Sequence, residues 1–241
     1  MKNLLALFFL IGTLGLNAQT KDYSDLLSLF VDEKFEKCLR KAEDYTLSDK
    51  TKTDPLPYLF MSRCFYEMSK RDEFKEAFPK ANVDCFKYIS KYAQMAKKKP
   101  AEARIDEFQD YLNELRKFGI SEADDRIGKG KVSNAKFYFD AMVDVDPKDA
   151  GALIMYAYCL EFAKDKKCTL SYDKAKALLT NGEASSDQDV QKDFLKYALI
   201  FYSTKLSEKG SNDAALEWMN LGDSYFKGDA EYKAAKSLIG G

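Results

Sequence analysis

The sequence predicts an all-α fold, an α-solenoid of antiparallel helix pairs. Three observations carry this. Glycine and proline are scarce, 12 and 5 among 241 residues. Beyond the N-terminus, nearly every segment places apolar residues three and four apart, the pattern of an amphipathic helix. No stretch alternates apolar and polar long enough to require a strand. The few chain breakers fall between such segments, so each helix is followed by a short loop and another helix, as in stacked hairpins.

Residues 1–18 stand apart. Met1-Lys2-Asn3 precedes an almost wholly apolar run, Leu4 to Leu16, and then Asn17-Ala18. One basic residue, an apolar core and a small residue at the cut point make a secretory signal cleaved after Ala18. The run is too short for an anchor, because crossing ~30 Å of hydrocarbon takes about 20 residues. No cysteine follows it directly, which argues against a lipid-modified N-terminus, and no transmembrane segment is expected later. The expectation is an exported, soluble chain, periplasmic in a bacterium or else extracellular.

The rest reads as one continuous solenoid, with diverged hairpins over 19–115 and clearer repeats over 116–241. Helices are expected over 21–31, 33–47, 56–70, 72–98, 101–129, 131–145, 149–164, 171–181, 187–208, 211–227 and 229–239. Asp54-Pro55-Leu56-Pro57 separates the second from the third. Pro79 breaks the fourth, because proline lacks an amide hydrogen and clashes with the preceding turn. Gly119 offers the fifth a place to bend. Pro100, Asp146-Pro147, Asn181-Gly182 and Gly210-Ser211-Asn212 punctuate the remainder. Lys164 to Leu170 reads as an inserted loop.

Composition narrows the partners. Hydrophobic residues are 46% and charged residues 32%, values of a folded chain. Net charge is −1, and losing Lys2 with the signal makes it −2. The two signs are interspersed, so no long-range field favours nucleic acid. Lys97-Lys98-Lys99 ends a helix, where cations suit the negative pole of the dipole. The five cysteines are odd in number and lack CxxC spacing. Cys38, Cys64, Cys85 and Cys159 sit in apolar helical patterns and Cys168 in the expected loop. Export would permit one pair to oxidise, and the sequence does not choose it.

Two motifs are specific. Trp218, Leu221, Gly222 and Tyr225 spell W-x2-L-G-x2-Y. Gly130, Val132, Ala135, Phe139, Met142 and Pro147 form the other. Gly130 permits a tight turn, Ala135 lets helices approach, Phe139 fills the space between neighbours, and Pro147 stops the helix. On these residues the chain resembles the tetratricopeptide repeat, a helix–turn–helix unit of about 34 residues. The resemblance covers about 116–241, and 21–115 only weakly. A further unit starts at Ala150, with Leu153, Tyr156, Ala157 and Leu160, then Tyr172, Ala175 and Leu179. The unit ending at Pro147 departs from the pattern, with Glu122 and Arg126 where leucine and tyrosine are usual. Trp218 to Tyr225 is expected to open the last pair, closed by Tyr232 to Ile239, with Trp218 packed between repeats.

The resemblance implies a concave groove lined by first helices, which puts Ile154, Tyr158, Glu161 and Phe162 toward it. Such a groove suits an extended peptide or a partner helix: aromatic area to bury, and one acid for a basic side chain. One subgroup of the family clamps a terminal carboxylate with lysine and asparagine. Ile154 and Tyr158 occupy two of those places here, which argues against that clamp.

The chemistry for catalysis is thin. There is no histidine, which removes the commonest general base and metal ligand. No nucleophile elbow, phosphate loop or zinc helix is present. Asp144, Asp146, Asp149 and Gly151 fail as a calcium loop, because glycine is not sixth and Met155 stands where a bidentate glutamate belongs. Glu122, Asp124 and Asp125 suit a solvated helix face. No catalytic residue, metal or cofactor is therefore expected. The fifteen tyrosines and seventeen phenylalanines mostly fill gaps between helices. The expected function is a non-catalytic scaffold or adaptor of the cell envelope, binding a protein partner of unspecified identity. The alternative is a helical-repeat enzyme or glycan-binding protein, marked by a deep cleft with converging carboxylates. A structural bundle without a groove is the third reading.

Overall fold

The computed structural model describes residues 22–240, and the expected signal segment, 1–18, lies outside them. Twelve α-helices and two 3-10 turns make up the described fold, with no strand among the described residues. Helix α1 (Ser24–Val31) pairs with α2 (Phe35–Leu47), and α3 (Pro55–Ser69) with α4 (Ala81–Lys98). The short α5 (Pro100–Ala103) leads to α6 (Gln109–Gly128), which pairs with α7 (Val132–Val145). Then come α8 (Ala150–Phe162) with α9 (Lys167–Thr180), and α10 (Asp189–Glu208) with α11 (Asn212–Leu221). Finally α12 (Ala230–Gly240) packs on both α10 and α11. The chain is thus an all-α repeat of tetratricopeptide-like helix pairs, with first helices α1, α3, α6, α8, α10 and α12 alternating with second helices. One apolar core runs the length of the stack.

The expected breakers act as argued. Asp54 is extended and Pro55 opens α3, where a missing amide hydrogen costs nothing. The 72–98 segment divides into a 3-10 turn, Asp72–Phe74, and α4, with Pro79 between. Helix α7 ends at Val145, just before Pro147. Gly130 takes φ +72°, and the amides of Gly130 and Lys131 reach back to the carbonyls of Ile127 and Arg126 at 2.9 and 2.7 Å. That left-handed closure satisfies orphan carbonyls at the helix end.

Three expectations are corrected. The 101–129 segment is not one helix bent at Gly119. It breaks at Arg104, whose φ of +50° separates α5 from a 3-10 turn at Ile105–Phe108. Gly119 instead lies inside α6, where a Cβ would stand 2.6 Å from Met142 and 2.7 Å from Phe86. The insertion after α8 is short, because α9 begins at Lys167, so Cys168 is helical rather than in a loop. All five cysteines are free thiols. Finally, Trp218 does not simply open a last pair. Helix α11 packs more extensively on α10 than on α12 and touches α9, so it serves as second helix to α10. Gly222 still provides the close approach its motif implies: a Cβ there would collide with the Tyr232 hydroxyl. In a stack each helix has two neighbours, and α11 touches α12 as well as α10.

Helix α8 closes like α6, with Lys164 and Asp165 donating to Glu161 and Leu160, both at 2.9 Å. The left-handed residue is Lys164, φ +58°, where glycine has no Cβ penalty. Lys164→Gly is expected to raise stability by about 0.5 kcal/mol, the strain relieved less the extra freedom of the unfolded chain. Urea denaturation reads this, and a lower midpoint in the variant would refute it.

Candidate partner-binding face

Helix α10 turns Phe194, Leu195, Ala198, Leu199 and Tyr202 into the core. The same helical period leaves Tyr197, Ile200 and Phe201 half-buried on the opposite side. Together with Lys196 and Lys205 they line a groove of about 610 Å³ that Asp193 and Glu231 also border. Its aromatic wall is a continuous ladder. Phe194 stacks on Tyr197 at 6.2 Å between centroids, and Tyr197 on Phe201 at 5.8 Å. Tyr158 of α8 meets Phe201 edge-on at 5.1 Å. Below the ladder, Phe139 of α7 stacks on Phe194 at 5.9 Å and is wholly buried.

Polar contacts fix the wall and neutralise its rim. The Tyr197 hydroxyl donates to Asp124 Oδ1 at 2.7 Å. Burial pushes the Asp124 carboxyl up, against the pull of that hydroxyl. Lys196 pairs with Glu231 at 2.8 Å and Asp229 at 3.0 Å, and Lys205 with Glu208 at 2.8 Å. The rim lysines are thus compensated, so the groove offers apolar and aromatic area rather than net charge.

The four groove residues named from the sequence do not share one surface. Tyr158 joins the ladder, and Phe162, one turn further along α8, is 56% exposed. Ile154 is fully buried and is corrected from groove contact to core residue. Glu161 is already engaged: it accepts from Lys209 Nζ at 2.9 Å and from the hydroxyls of Tyr172 and Tyr202 at 2.8 and 3.4 Å. Burial opposes its charge, but Lys209 and the two hydroxyls outweigh that and hold the carboxyl below its usual range. It is therefore a structural acid rather than one waiting for a basic side chain.

The repeat-defining residues behave as packing residues. Ala135, Ala157 and Ala175 are fully buried, and Trp218 is 4% exposed. Leu221 packs half-buried against the core, and Tyr225 turns its hydroxyl to the Ala184 amide at 3.2 Å. Pro147 is exposed at the loop it creates. Glu122 and Arg126, the departures from the motif, pair at 2.9 Å. Glu122 also accepts from Asn82 at 2.8 Å, and Arg126 lies 4.6 Å over the Tyr138 ring. Asp149 caps α8 by accepting from the Ala152 amide at 2.9 Å. Tyr197 and Ile200 went unnamed at the sequence level. Their signal was the i, i+3, i+4 spacing of Tyr197, Ile200 and Phe201.

No helix among the described residues is long and apolar enough to cross a membrane. Among the described residues, no three metal-ligating side chains gather into a site.

No protein-family model matches this chain. No curated protein matches it either. Two solved structures align with most of its length. One is the TPR2AB-domain:pHSP90 complex of yeast Sti1, at 13% identity and TM-score 0.31, covering 90% of this chain and 95% of that one. The other is the C-terminal part of a TPR repeat-containing protein from Cytophaga hutchinsonii, at 12% identity and TM-score 0.29, covering 88% and 98%. Both superpose loosely, and the tetratricopeptide-like arrangement of this chain stands on its own motifs and helix pairing.

Proposed function

We propose that the chain is a non-catalytic interaction scaffold of the cell envelope that holds a protein segment on the first-helix face of α8 and α10. The observation that carries this is the half-buried aromatic ladder Tyr197–Phe201–Tyr158, continued by exposed Phe162. Aromatic side chains with partly open faces give binding energy at low entropic cost. The fixed backbone supplies the rest: two packed helices present the ladder without rearrangement, so little ordering opposes binding. A helix or extended segment with apolar side chains on one face suits the groove. The envelope location belongs to the same proposal and is supported by the Leu4–Leu16 run.

The test is a photo-crosslinking amino acid placed at Ile200 in intact cells, with the exposed position Lys50 as control. A discrete adduct in the envelope fraction is expected at Ile200 only. Phe201→Ala combined with Tyr158→Ala is expected to cut its yield at least about tenfold, the scale of a hot-spot pair, while circular dichroism stays helical. An adduct that persists in this folded double variant, or equal labelling from Lys50, would falsify the groove assignment.

A further inference from the structure

Five of the six arginines have a carboxylate partner. Arg40 reaches Glu36 at 3.7 Å, Arg71 reaches Glu33 at 2.8 Å, and Arg126 reaches Glu122 at 2.9 Å. Arg104 pairs with Glu107 and Arg116 with Asp149. Arg63 of α3 has none among the described residues. Its Nε is buried without an acceptor. The acid one helical turn on, Glu67, is taken by Lys70 at 2.7 Å.

Rings surround Arg63 instead. Its guanidinium carbon lies 4.0 Å from the Phe30 centroid, 5.4 Å from Phe108, 5.5 Å from Phe60 and 5.8 Å from Tyr111. These rings come from α1, α3, the 3-10 turn before α6, and α6 itself, so the cage belongs to the first-helix face. Rings cover the faces of a guanidinium, and its N–H donors lie in the plane between them. A partly desolvated cation without an anion is held at a cost that ring contacts offset only in part. The residue is only partly buried, so an anion can reach its terminal nitrogens from solvent.

We propose that Arg63 is the anchor of a second subsite, which takes the side-chain carboxylate of an acidic residue in a bound peptide segment. Charge complementarity selects the occupant. The site offers one unneutralised cation, which matches one carboxylate; a phosphate would call for a second cation, and neighbouring Lys70 is already paired. The ring walls suit the methylenes of a glutamate and an apolar residue beside it. Pairing of the carboxylate with the terminal guanidinium N–H groups would supply the missing charge. The inference rests on the scaffold reading but not on the α10 groove, so the crosslink at Ile200 and the test below fail separately.

The test is an NMR titration of the 15N-labelled chain, observing the Arg63 Nε–H signal. The probes are the end-capped tetrapeptide Phe-Glu-Glu-Phe, its Phe-Gln-Gln-Phe analogue, and inorganic phosphate. The glutamate peptide is expected to shift the signal and to bind at least about tenfold tighter than the glutamine peptide, the scale of one charge-assisted pair. Arg63→Met is expected to remove that preference. Binding of the two peptides within twofold of each other overturns the proposal, as does an unchanged preference in Arg63→Met. Phosphate binding as tightly as the glutamate peptide overturns it too, as a small-anion site. If Arg63→Met does not fold, the two-peptide comparison on the unaltered chain decides alone.

Discussion

Arg116→Met is expected to lower the melting temperature by about 10 °C or more. Arg116 of α6 and Asp149, which caps α8, form an ion pair whose members are 7% and 2% exposed. The pair ties one repeat to the next. Asp149 accepts from Arg116 through Oδ2 and from the Ala152 amide through Oδ1, so one carboxylate serves both a cap and a bridge. Removing the arginine strands a buried carboxylate, at a cost of about 3–5 kcal/mol. For a chain of this size each kcal/mol moves the melting temperature by roughly 2–4 °C. The control separates the charge from the cap. In Arg116→Met combined with Asp149→Asn, the asparagine carbonyl still accepts from Ala152 while no charge is left unpaired. That double variant is expected to recover most of the loss. Recovery is plausible physically because the native pair is not fully satisfied: Arg116 Nε is buried with no acceptor. Differential scanning calorimetry on the three variants decides. A single variant melting within about 2 °C of the parent would show that the pair contributes nothing net.

How much of this could be read beforehand differs from element to element. The helices were legible because apolar spacing and prolines act locally, as at Pro55, Pro79 and Pro147. Arg104 was not, because nothing in its residue type announces a left-handed conformation. The face of α8 was misjudged for a related reason. A motif assigns faces by assuming each first helix has one side open, yet α8 is buried from Ala150 through Met155 and again at Ala157, Cys159 and Leu160. It lies against α7, α9 and α10 together, so little more than Tyr158 and Phe162 escapes. Glu161 was misread because its partners, Tyr172, Tyr202 and Lys209, arrive from α9 and beyond. Such contacts depend on how the repeats stack, which spacing along one helix does not encode. The orphaned state of Arg63 was hidden in the same way: it is defined by which carboxylates fail to arrive.

Trp218→Ala is expected to destabilise the stack about as much as loss of Arg116, by about 3–5 kcal/mol. The ring is enclosed by side chains from two neighbouring helices, α9 and α10. Its centroid lies 5.4 Å from Tyr202 of α10 and 5.6 Å from Tyr172 of α9, and those two rings stack on each other at 4.7 Å. Lys176 covers it at 5.2 Å while pairing with Glu217 at 2.6 Å. Truncation therefore opens a cavity that no single side chain can collapse into, because each neighbour is held from elsewhere. Tyr172 and Tyr202 are held by Glu161 and Lys176 by Glu217. Trp218→Phe keeps the ring contacts and loses only part of the volume, so about a third of the cost is expected. The order of the two variants matters more than either value. If Trp218 were a surface contact for a partner, both would melt like the parent in the isolated chain, and only binding would change. Thermal unfolding followed by circular dichroism distinguishes these cases. An alanine variant melting within about 3 °C of the parent would remove α11 from the cooperative core and return the tryptophan to the surface.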